Sequence, residues 1–96
     1  MSWFSRFFGS AQATGDYRCS SSIKQTMLGK YPDLKASQME ALNYLATQKL
    51  SEATEKILGL MADSAVVDLI DKLRAVDSTA AKYLDQARSA AAQPSE

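Results

Sequence analysis

Apolar side chains in this 96-residue chain recur every three or four positions along most of its length, and that spacing admits helices and little else. The clearest case is Val66, Leu69, Ile70, Leu73 and Val76, which fall on one face of a helix. Ala80, Tyr83, Leu84, Ala87 and Ala91 make a second such face, and its alanines permit close approach of a neighbouring helix. Upstream, Met39, Leu42, Ala46, Leu50, Ala53, Ile57 and Leu60 form a third stripe. No alternating run bounded by turn residues is present, so no strand is expected. The fold class that follows is all-α: a small antiparallel helical bundle or hairpin array over residues 20–92.

Capping residues divide the array. Ser20, Ser21 and Ser22 precede Ile23, Met27 and Leu28, and Gly29 followed by Tyr31-Pro32 closes that element, which predicts a helix over about 21–30. Ser37-Gln38-Met39-Glu40 reads as a capping box for the next helix. The stretch 38–62 admits one long helix or two. Ser51-Glu52 resembles a helix start, and Gly59 costs roughly 1 kcal/mol relative to alanine inside a helix, so a break near 49–51 is favoured. Asp63 or Ser64 is the expected cap of the following helix. Asp77 and Ser78 punctuate it from a last helix over about 79–92, and Pro94 ends the order, leaving 93–96 as a disordered tail.

The amino-terminal end has a different character. Trp3, Phe4, Phe7 and Phe8 recur at i, i+1, i+4 and i+5, which on a helix places all four within an arc of roughly 140°. Residues 1–9 are therefore expected to form a short amphipathic aromatic helix, and the small, polar segment 10–19 to tether it to the body.

Composition excludes most chemistry. The chain has no histidine and one cysteine, Cys19, so an internal disulfide and a neutral-pH imidazole are both ruled out. Basic and acidic residues balance at 11 each, which removes the electrostatic footprint of a nucleic-acid binder. They are unevenly placed: Arg6, Arg18, Lys24, Lys30 and Lys35 face only Asp16 and Asp33 in the first 36 residues, and the remainder carries six basic and nine acidic groups. Asp63, Asp68 and Asp71 interrupt the most apolar stretch, so no bilayer span is predicted. The short apolar run before Ala11-Gln12-Ala13 lacks a basic leader, and a cytoplasmic location is expected.

Few residues qualify as functional. Asp63, Asp68 and Asp71 resemble a cluster for a hard cation, but Lys72 at i+4 neutralises Asp68, and surface ion pairing explains the group better. Glu52 with Lys56, and Asp85 with Arg88, read in the same way. Cys19 reads as a buried small residue, with a thiol activated by Arg18 and a helix start as the alternative. No metal or cofactor is expected, and no catalytic residue.

Tyr17, Arg18 and Lys24 together offer an aromatic face and two cations for a nucleotide or similar ligand, a weak signal that capping serines and a packed tyrosine explain as well. The four aromatics are another matter. Each buries about 150–250 Å², more together than a soluble monomer leaves exposed, so they must dock on something. The reading that follows is a non-enzymatic protein–protein interaction module, a small adaptor or inhibitor, self-associating and anchored by Trp3, Phe4, Phe7 and Phe8. A peripheral membrane protein using the same helix is the first alternative, and a small ligand-binding protein using Tyr17, Arg18 and Lys24 the second.

Overall fold

The computed structural model describes residues 16–92, so the aromatic helix expected over 1–9, the first part of the tether and the tail over 93–96 lie outside the described residues. Five helices follow in order: α1 (Ile23–Lys30), α2 (Ala36–Thr47), α3 (Leu50–Leu60), α4 (Asp63–Leu73) and α5 (Ser78–Ala92). No strand occurs among the described residues. The α4–α5 and α2–α3 interfaces are the most extensive, and contacts of α1 with α2, α2 with α4, and α3 with α4 and α5 close the bundle around one core.

The expected break in the third stripe falls at Gln48 and Lys49. Both take extended backbone (φ −130°, ψ 162° and φ −59°, ψ 150°) before α3 begins. The break resets the helical phase, so the buried face of α2 is Gln38, Ala41, Leu42 and Leu45 rather than the continuous stripe through Met39 and Ala46, which are only half-buried. Beyond it Leu50, Ala53 and Ile57 are buried as expected, whereas Leu60 is 44% exposed. A second extended pair, Met61 and Ala62, separates α3 from α4. The faces of α4 and α5 match expectation more closely. Val66, Leu69, Ile70 and Leu73 are buried, as are Ala80, Tyr83, Leu84 and Ala87, with Ala81 added and Ala91 exposed.

Several caps differ from expectation. The residue before α2 is Lys35, not Ser37, because Gln38 reaches back: its Oε1 accepts the Lys35 N–H at 3.0 Å. Lysine has no acceptor, so only this half of a capping box operates. Gln38 Nε2 also donates to Asp68 Oδ2 at 2.8 Å and to the Ala65 carbonyl at 3.3 Å, so one fully buried amide brackets the start of α2 and ties it to α4. Neither Asp63 nor Ser64 caps α4; Ala62 holds that position without a side-chain bond. Gly29 lies inside α1 without a positive φ, and the chain leaves the helix at Tyr31 (φ −132°, ψ 82°), where Pro32 disfavours α backbone. No helix among the described residues is long and apolar enough to cross a membrane.

Candidate functional site

Residues 16–19, the described end of the segment expected to be a tether, lie against the bundle. The Tyr17 carbonyl accepts the Leu50 N–H at 2.8 Å, satisfying a donor that the first turn of α3 leaves without a helical partner. The Tyr17 hydroxyl donates to Asp77 Oδ2 at 2.9 Å, and Asp16 sits 3.9 Å from Lys49 Nζ. Asp77 also receives the Ala80 N–H on Oδ1 at 3.2 Å, so its carboxylate caps α5 while holding the incoming chain.

This arrangement sets the titration of its neighbours. The bond to Asp77 pushes the Tyr17 phenol up to about 12, because the anionic tyrosinate would face a carboxylate. Cys19 is 8% exposed, and burial, reinforced by Asp77, pushes its thiol up to about 12 as well. The activated thiol entertained from its position beside Arg18 is thereby corrected: low polarity and a nearby carboxylate outweigh the arginine, and Cys19 is an inert packing residue.

Of the three residues proposed for a small ligand, Tyr17 is thus committed to Asp77. Arg18 is exposed and Lys24 half-buried in the first turn of α1, and neither makes an ion pair with another described residue. Asp77 places negative charge where a phosphate would approach the tyrosine ring.

The acidic trio is dispersed among cations. Asp68 pairs with Lys72 as expected and accepts from Gln38, and these bonds hold its carboxyl below the usual range. Asp71 lies 4.0 Å from Arg74 Nε, and Asp63 forms a two-pronged pair with Arg88, Nε to Oδ1 at 2.8 Å and Nη2 to Oδ2 at 3.3 Å. Two expected pairs have other partners. Arg74, not Arg88, lies near Asp85, at 3.8 Å, and Lys56 stands 5.6 Å over the Tyr44 ring rather than on Glu52. The i,i+4 rule identified the candidates but could not see helices meeting.

The Asp63–Arg88 pair borders a feature the sequence concealed. Where α3 ends, α4 begins and α5 runs past, a half-open groove of about 290 Å³ is lined by Leu58, Met61, Val66 and Ala91 with Asp63 and Arg88 at its polar edge. Its residues come from three helices, so no single stripe announces it. The anchors Trp3, Phe4, Phe7 and Phe8 lie outside the described residues. No protein-family model, no curated protein and no solved structure matches this chain.

Proposed function

We propose that the protein is a non-enzymatic interaction module, an adaptor or inhibitor, that engages a hydrophobic surface on another protein or on a second copy of itself through Trp3, Phe4, Phe7 and Phe8. One observation carries the reading. Among the described residues Leu42, Leu50, Ile57, Leu69, Leu73 and Leu84 share one core at 0–1% exposure, and the densest aromatic cluster of the sequence falls outside the helical stripes that supply them. Four aromatics spaced i, i+1, i+4 and i+5 would give a helix two pairs of anchors, and an amphipathic helix with i and i+4 anchors is a common way to enter a groove. The nucleotide alternative draws less support, since the Tyr17 hydroxyl is tied to Asp77 and a carboxylate repels phosphate.

Sedimentation equilibrium tests the reading. The intact chain, concentrated toward the millimolar range, is expected to associate, and a variant with all four aromatics changed to serine is expected to remain monomeric with its helical circular dichroism unchanged. Equal association by both proteins would contradict the proposal. Adding anionic vesicles to each protein addresses the membrane alternative: co-sedimentation of the intact chain alone would favour a lipid surface over a protein one.

A further inference from the structure

Residues 16–19 cross the bundle as a strap with few ties to it. Asp16, Tyr17 and Arg18 are exposed, and only Cys19 enters the core cluster. The Tyr17 carbonyl accepts the Leu50 N–H at 2.8 Å, and the Tyr17 hydroxyl donates to Asp77 Oδ2 at 2.9 Å. The Cys19 thiol faces the same carboxylate. The Asp16–Lys49 pair adds little, being 3.9 Å apart with side chains 77% and 46% exposed.

The strap ends at a turn that belongs to α1. Ser20 Oγ accepts the Ser22 N–H at 3.2 Å and meets Ser22 Oγ at 2.9 Å, while the Ser20 carbonyl accepts the Ile23 N–H at 3.0 Å. These bonds need nothing from residues 16–19. Neither does the cap of α5, since Asp77 Oδ1 keeps the Ala80 N–H at 3.2 Å when Oδ2 is released. Lifting the strap therefore gives up the two Tyr17 hydrogen bonds and the burial of one small side chain, and it returns the backbone freedom of the segment. The Leu50 N–H, in the first turn of α3, passes to water. Segments with few buried contacts and solvent-facing hydrogen bonds open at a fraction of the cost of global unfolding.

We propose that residues 16–19 form a releasable strap that opens as a unit about the Cys19–Ser20 link while the five helices stay folded, with the Tyr17–Asp77 hydrogen bond as its latch. Opening exposes Cys19, frees one Asp77 oxygen and uncovers the first turn of α3 at Leu50. None of these contacts involves Trp3, Phe4, Phe7 or Phe8, so the strap stands whether or not the interaction reading holds.

Cys19 is the only thiol in the chain and reports the opening. Closed, it is buried and keeps its proton, so at about pH 8 a thiol reagent reacts with the open form. Labelling of the full-length protein with N-ethylmaleimide, followed by mass spectrometry at reagent concentrations where the rate stays proportional to reagent, gives the open fraction by comparison with the urea-unfolded chain. The expected rate lies well below that of the unfolded chain, yet at least about tenfold above the product of that rate and the global unfolding constant. Tyr17→Phe should speed labelling by roughly 3- to 10-fold. Gly59→Ala, within α3, should leave the rate unchanged, and sub-denaturing urea should raise it far less steeply than it raises the unfolding constant. A native rate equal to that of the unfolded chain would overturn the closed strap. A rate equal to the product, with the urea dependence of global unfolding, would show that the strap never opens alone. No effect of Tyr17→Phe would overturn the latch.

Discussion

Asp77 joins two tasks that sequence reading assigned to different parts of the chain. As the residue before α5 it was legible as punctuation, but nothing local indicated that Tyr17, sixty residues earlier, would donate to its other oxygen. Replacing Asp77 with alanine removes the cap and is expected to cost about 1–2 kcal/mol in urea denaturation. Combined with Tyr17→Phe, the two changes should be non-additive by about 0.5–1.5 kcal/mol, the worth of the shared hydrogen bond; strict additivity would mean that the bond contributes nothing. Gly59 offers the opposite sign. It sits within α3 without a positive φ, and an added Cβ meets nothing within 4 Å, so Gly59→Ala should stabilise the fold by roughly 0.5–1 kcal/mol. A lower urea midpoint would show that the glycine serves a purpose the packing does not reveal.

Among the elements, those whose apolar stripe lies within one uninterrupted helix were read nearly whole. The helices α4 and α5 bury the residues their spacing nominates except Val76, half-buried beyond the end of α4, and the exposed Ala91, and the break between α2 and α3 fell where a helix start at Ser51 was suspected. The misreadings have a common origin. Met39, Ala46 and Leu60 were assigned to the core by extending one phase across two helices, and a two-residue extended link erases that phase. Gln38 was missed as a core residue because its polarity hides its role: only the arrival of α4 supplies Ala65 and Asp68 as partners. Gln38→Leu keeps the volume but leaves the Lys35 N–H and Ala65 carbonyl short of a partner, and should cost about 1–3 kcal/mol. Equal stability of that variant would show that solvent replaces the amide at no cost. The groove escaped for a similar reason, being made from the ends of three elements whose meeting no periodicity encodes.

For the whole molecule, the groups held protonated by the fold define its alkaline limit. Tyr17, Cys19 and Tyr83 keep their protons to about 12, whereas the unfolded chain releases them near 10 for the phenols and 9 for the thiol. Since the folded values are raised, the stability linked to them is fully present below about pH 9 and is lost as pH climbs from there toward 12. Cys19→Ala should make that decline shallower in urea titrations at successive pH values, and an unchanged slope would show that the thiol titrates alike in both states. We propose that the chain divides into a helical body that folds by itself and an aromatic segment that docks on a partner. Thermal unfolding of a chain lacking residues 1–9, followed by far-ultraviolet circular dichroism, tests that division most directly. A single cooperative transition from full helical content is the predicted result, and a broad, non-cooperative melt would show instead that Trp3, Phe4, Phe7 and Phe8 belong to the core and that the body cannot fold without them.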